Sequence, residues 1–235
     1  MESKILVMNM KMYMDIDDIR EYMKEIDNVP DNVILCPESI YIPYFLKKYK
    51  NIAIQSIYPV DSGAYTGCVS ASQVKKMGVN YAIVGHSECR KYFNVTDNET
   101  NLKVKSALAN KLKVILCIGD SKEEKEAGKT FSSLKRQLDI ALNDIKSDDI
   151  IVAYEPIYSI GTGLIPSMDE ISKTVKFIKN ELKNKNMNLK VIYGGSVNSK
   201  NISDLARIDC VDGFMVGKSS SIVDEVKRMI EVVSC

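Results

Sequence analysis

Eight times along the chain, a short apolar run rich in β-branched residues gives way to a polar or glycine-containing turn and then to a longer helical pattern. The runs cover residues 5–8, 33–36, 52–55, 81–84, 114–118, 151–154, 190–193 and 213–216. Continuous apolar runs of this length suit strands covered on both faces, as in a parallel sheet. Between them, Ile19, Tyr22, Met23 and Ile26 recur at the spacing of one face of an amphipathic helix. Ser167 with Glu170 spells a capping box ahead of an apolar stripe of Ile171, Val175, Ile178 and Leu182. Ser70 with Gln73 repeats that signal, and a last helix carries Ile222, Val226, Met229, Ile230 and Val233 on one face. Eight strands alternating with helices predict an α/β fold, a closed (β/α)8 barrel of parallel strands surrounded by helices. A doubly wound open sheet fits the same alternation, and the strand count favours the barrel.

The 235 residues show no low-complexity linker and no break in composition, so residues 1–235 are expected to form one domain. A chain of this length buries roughly 70% of its unfolded surface and needs no staple from disulfides or a structural metal. With 32 basic and 31 acidic residues the net charge is +1, which gives no global field to attract nucleic acid or acidic membranes. Any bound anion must be held by local geometry. The cysteines, Cys36, Cys68, Cys89, Cys117, Cys210 and Cys235, contain no C-x-x-C pair, and His86 is the only histidine, so no metal site of the usual zinc kind is expected. The first apolar run stops at Asn9 and Lys11, too short for a signal-peptide core, and no stretch approaches a membrane span. A cytoplasmic setting with reduced thiols is the expectation.

Parallel α/β folds place their chemistry beyond the carboxyl ends of the strands. Those positions hold Asn9-Met10-Lys11 after the first run, Gly85-His86-Ser87-Glu88 after the fourth, and Glu155-Pro156 after the sixth. The seventh and eighth are followed by Gly194-Gly195-Ser196 and Gly217-Lys218-Ser219. Taken singly, Glu155 fits a carboxylate at a helix start, His86 a hydrogen-bonded structural residue, and Lys11 a solvated charge. Those readings do not require all of them to converge on one mouth, as the barrel does. A carboxylate among apolar neighbours has a raised proton affinity and suits a general base. An imidazole and an ammonium stabilise the oxyanion formed when a proton leaves a carbon beside a carbonyl. Glycine-rich turns leave backbone N–H groups to cradle a phosphate. The parts describe proton transfer in a small phosphorylated carbonyl compound.

Residues 156–163 are longer than a plain strand-to-helix connection of about two to six residues, with proline at one end and Gly161 and Gly163 near the other. A cover that closes over substrate is expected there. The segments NMK, VGHSECR, AYEPIYSIGTG, YGGSVN and DGFMVGKSS resemble, in order, the signature segments of the triosephosphate isomerase family, across nearly the whole chain. QSIYPVDSGAYTG resembles that family's long third loop. The AYEP-to-GTG segment is highly specific, whereas YGGS alone is weak.

The resemblance implies a TIM barrel that interconverts dihydroxyacetone phosphate and D-glyceraldehyde 3-phosphate through an enediolate, in glycolysis and gluconeogenesis. It implies Glu155 as base and His86 as a neutral electrophile, with Lys11 and Asn9 stabilising negative charge and Glu88 supporting them. Backbone groups of Gly161, Ser196, Gly217 and Lys218 would hold the phosphate, together with Asn9 and Lys11. Tyr193 and Ser196 would latch a lid, a device for which this family is itself a standard example. No cofactor and no metal is implied. The partners are a small triose phosphate substrate, no nucleic acid and no membrane, and a second copy of the chain docked through the loop from Asp61 to Gly67. The chain departs from the family pattern at Tyr158, where Trp is usual, at Leu164, often Lys, and at Lys218, usually Gly. Cys68 and Cys89 stand where an ion pair is common and are expected to lie close together. A nicotinamide-dependent oxidoreductase would use Gly161 and Gly163, but Pro166 stands where the third glycine of a dinucleotide fingerprint belongs. A non-catalytic barrel would not need Glu155, His86 and Lys11.

Overall fold

Alternate residues of a strand point to opposite faces, and in this chain both sets are apolar. The computed structural model describes residues 3–234, so Cys235 lies outside the described residues. The strands are β1 (Ile5–Asn9), β2 (Val33–Cys36), β3 (Ala53–Ile54), β4 (Tyr81–Val84), β5 (Lys113–Ile118), β6 (Ile150–Tyr154), β7 (Lys190–Tyr193) and β8 (Gly213–Val216). Their order is β2-β1-β8-β7-β6-β5-β4-β3, and every ladder is parallel. The ends of that row meet at a parallel bridge between Leu35 and Ile52, which closes the ring. An open doubly wound sheet has no β1–β8 ladder and no such seam.

One set of side chains fills the interior: Val7, Ile34, Ala53, Ile83, Ile115, Ala153, Ile192 and Met215, one from each strand. The other set, including Leu6, Leu35, Leu116, Val152 and Val191, packs outward against the helices. Strand β3 is shorter than the 52–55 run. Ile52 takes part through the seam and by accepting the Tyr81 N–H at 3.1 Å, and the side-chain amide of Gln55 donates to the carbonyls of Lys11 and Cys36, at 2.9 and 3.1 Å.

The helices are α1 (Ile16–Glu25), α2 (Ile42–Phe45), α3 (Ala71–Met77), α4 (Ser87–Phe93), α5 (Asp97–Ala109), α6 (Lys122–Glu126), α7 (Thr130–Ala141), α8 (Met168–Asn184), α9 (Ile202–Leu205) and α10 (Val223–Ser234). Both expected capping boxes form, Ser70 with Gln73 on α3 and Ser167 with Glu170 on α8. Each such cap is worth about 1 kcal/mol. The stripe Ile171, Val175, Ile178 and Leu182 is fully buried. Ile222 differs from its expected place on the last helix: α10 starts at Val223, and Ile222 is exposed. No helix among the described residues is long and apolar enough to cross a membrane, and no cluster of three or more His, Cys, Asp or Glu among them is arranged to hold a metal ion.

Candidate active site

The backbone N–H of Glu155 donates to the carbonyl of Ile118 at 2.9 Å, which continues the β5–β6 ladder one residue past β6 and fixes where the carboxylate begins. The side chain is 5% exposed and places Oε1 3.4 Å from Nε2 of His86. Room for it exists because residue 194 is glycine. A Cβ there would lie 2.8 Å from Cγ of Glu155.

His86 is the N-cap of α4, and its Nδ1 accepts the backbone N–H of Glu88 at 3.2 Å. That contact keeps the ring proton on Nε2, aimed at Glu155. Burial disfavours an imidazolium here, the Glu155 carboxylate favours it, and the balance raises the ring's proton affinity. A second proton on Nδ1 would nevertheless set a donor against the helix-capping donor.

Glu155 corrects an expectation. Burial does raise its proton affinity, but the imidazole, the Lys11 ammonium and the Cys117 thiol outweigh it, and the carboxyl lies below its ordinary 4.5. An apolar setting alone misses the three donors that surround this carboxylate. In the free protein, 13C NMR of the labelled carboxyl is expected to show a midpoint below 4.5, and a midpoint above it would contradict the arrangement. A carboxyl depressed in this way adds stability above its unfolded pKa, and that stability is lost as pH falls through the folded value.

Lys11 adopts a left-handed backbone, φ 52°, which costs a non-glycine residue about 1–2 kcal/mol. Three contacts hold it: its N–H on Asn9 Oδ1 at 3.3 Å, its carbonyl on Gln55, and its Nζ on Glu88 Oε1 at 2.6 Å. Ser196, φ 49°, is the other left-handed non-glycine residue at this mouth. Its hydroxyl accepts the N–H of Gly163 at 3.2 Å and donates to the carbonyl of Ser159, tying residues 156–163 to the loop after β7. Tyr193 is buried beneath, its hydroxyl beside Ser159 without a well-formed hydrogen bond.

A cavity of about 210 Å³ gathers Asn9, Lys11, Glu155, Gly161, Ser196, Gly217 and Lys218. His86 and Glu88 stand behind it, joined through Glu155 and Lys11. Lys218 is exposed, so this residue contributes to the cavity near its backbone, at the start of the short helical turn Lys218–Ser221. A larger cavity, about 400 Å³, also touches Glu155 but is lined by Arg90, Asp97, Glu124 and Arg136, whose charges balance. The smaller one carries the ammonium and the turns. Cys68 is exposed and Cys89 half-buried. Gln55 and Cys117 are not among the residues singled out from the sequence. A polar residue ending an apolar run was the available signal for Gln55, and none marked Cys117.

A closed parallel barrel with a polar ring beyond the carboxyl ends of its strands defines a (β/α)8-barrel enzyme. Residues 4–233 match the family model described as triosephosphate isomerase. Relatives of that description include proteins of Trichodesmium erythraeum, 33% identical over 98% of this chain and 99% of the relative, and of Picosynechococcus sp., 34% identical over 99% and 100%. A third, from Alkaliphilus metalliredigens, is 34% identical over 95% of this chain and 97% of its own. The chain belongs to the triosephosphate isomerase family.

Proposed function

We propose that the protein interconverts dihydroxyacetone phosphate and D-glyceraldehyde 3-phosphate, and that the cavity holding Glu155, Lys11 and Ser196 is where it does so. The observation that carries the reading is the placement of one buried carboxylate against a capped imidazole, beside an ammonium and three strand-to-helix turns. Glu155 removes a proton from carbon 1 of the ketone. His86 donates its Nε2 hydrogen bond to the carbonyl oxygen, and the Lys11 ammonium, steadied by Glu88 and joined by Asn9, offsets the developing enediolate charge. His86 then moves a proton between the two oxygens, and Glu155 returns its proton to carbon 2. A substrate oxygen that takes over Nε2 frees Glu155 from its depressed state, so its basicity rises on binding. The turns at Gly161, Ser196, Gly217 and Lys218 hold the phosphate, and the lid latched through Ser196, with Tyr193 beneath, keeps water from the intermediate. An assay of triose phosphate turnover coupled to reduction of the ketone by a dehydrogenase tests this, and absence of turnover would overturn it.

The same reading extends to assembly as a homodimer of one-domain chains through the loop from Asp61 to Gly67, working among reduced cytoplasmic thiols. Large apolar side chains exposed and available for such a contact are Tyr65 in that loop and, elsewhere on the chain, Met12 at 86%, Phe93 at 76% and Tyr92. Burying one phenylalanine is worth about 1.5–3 kcal/mol, so Phe93→Lys is expected to weaken dimerisation about 10- to 100-fold in sedimentation equilibrium. A monomeric parent at micromolar concentration would refute the dimer.

A further inference from the structure

Besides the Ser196 tie, the lid has contacts with the body outside the ring of residues already described. Opposite Ser196, at the root of the lid, Lys125 of α6 donates to the hydroxyl of Tyr158 at 2.9 Å. Its ammonium also lies 4.6 Å from the centre of the Tyr158 ring and 3.3 Å from Oε1 of Glu170. Tyr158 is in the first turn of the lid. Glu170 is the carboxylate that closes the capping box of α8, where its other oxygen accepts the N–H and hydroxyl of Ser167, at 2.9 and 3.0 Å. One ammonium therefore touches the segment where the lid begins and the helix turn where it ends.

We propose that Lys125 is a positioning residue of the lid, pinning both of its roots through Tyr158 and Glu170 and so setting how readily the latched arrangement opens. The support of Lys125 is rigid. Ser121 and Glu124 cap α6 as a box, and Glu124 accepts the Ser133 hydroxyl of α7 at 2.6 Å. The residue just before that cap, Asp120, is fully buried, accepts the hydroxyls of Tyr154 and Thr130, and receives the first lid amide, Ile157 N–H, on its carbonyl at 3.0 Å. The ammonium thus projects from a fixed base onto a segment that must move.

Residue type at position 158 fits this role. An indole nitrogen at this place would only donate. Lys125 also only donates. A tyrosine hydroxyl supplies the acceptor that the ammonium needs while keeping an aromatic face for it. The identities at 125 and 158 are matched to each other.

This inference rests on the isomerase reading for its purpose but not for its measurement. The test follows the lid directly, by relaxation dispersion of the 15N-labelled Gly163 amide in the full-length protein, free and with added glycerol 3-phosphate. Lys125→Met is expected to speed lid exchange by about five-fold or more and to raise KM more than it alters kcat. Lys125→Arg restores the parent exchange because it keeps a donor and a charge, whereas Tyr158→Trp behaves like Lys125→Met. Lys125 is more than one-third exposed on its side chain, so these variants fold, and near-parent thermal unfolding confirms it. Gly163 exchange within about two-fold of the parent in Lys125→Met overturns the clamp, as a surface pair of negligible worth would give that result. A protein that shows the lid effect without turnover would instead sink the isomerase reading and leave the clamp standing.

Discussion

Glu155→Gln is expected to reduce kcat by about 10²–10⁴ while leaving the affinity for a phosphate ligand within a few-fold of the parent. The amide keeps the shape of the side chain and its fit beside Gly194, where 2.8 Å is all that separates Cγ from the position a Cβ would take. What it loses is the capacity to accept a proton. Its 3.4 Å contact with Nε2 of His86 also changes character, because an amide lacks the carboxylate's negative charge. The turns at Ser196 and Gly217 do not touch that atom, so inorganic phosphate binding by calorimetry should survive. A variant with near-parent turnover would remove Glu155 from the mechanism.

The second large effect is expected from a residue with no side chain. A Cβ on Gly119 would sit 1.9 Å from the carbonyl oxygen of Glu155 and 3.0 Å from its carbonyl carbon. Neither partner can retreat. Gln137 grips Gly119 from behind, accepting its N–H at 3.1 Å and donating to its carbonyl at 2.7 Å, and Glu155 is held by Ile118. Overpacking in a rigid place costs about 1–3 kcal/mol and occasionally more, against a total stability of about 5–15 kcal/mol. Gly119→Ala is therefore expected to lower the unfolding midpoint by several degrees at least, and to cost activity beyond that, since displacing a catalytic group by about 1 Å forfeits roughly 10²-fold in rate. Gly128→Ala is the control. Unlike Gly119 it has a left-handed backbone, φ 67°, but nothing lies within 4 Å of its added carbon, so only about 1–2 kcal/mol of backbone strain applies. Equal destabilisation by the two changes would show that the close approach at Gly119 is not what constrains the residue.

Much of this architecture was legible in the order of the residues, for a reason that can be stated. Apolar runs bounded by turns mark buried parallel strands because both faces must be covered, and capping boxes such as Ser167 with Glu170 mark helix starts because the signal is local. Convergence of Asn9, His86, Glu155 and Ser196 then follows from strand direction. Ring closure was less legible, since the Leu35–Ile52 seam is a contact between distant segments with no local signature. The electrostatic state of Glu155 is not legible locally, because burial is visible in the pattern of neighbours while the approach of Cys117, His86 and Lys11 is set by three different strands. Gln55 escaped notice for the same reason. Its worth lies in two carbonyls that sequence cannot place beside it.

The left-handed backbone at Lys11 and Ser196 has a consequence for anyone seeking a hardier protein. Glycine at either position would relieve about 1–2 kcal/mol of backbone strain, offset in part by about 0.4–1 kcal/mol of added freedom in the unfolded chain. Each such gain deletes an ammonium or a hydroxyl that the opening of the barrel depends on. On the proposed mechanism, robustness and turnover therefore compete at these two residues.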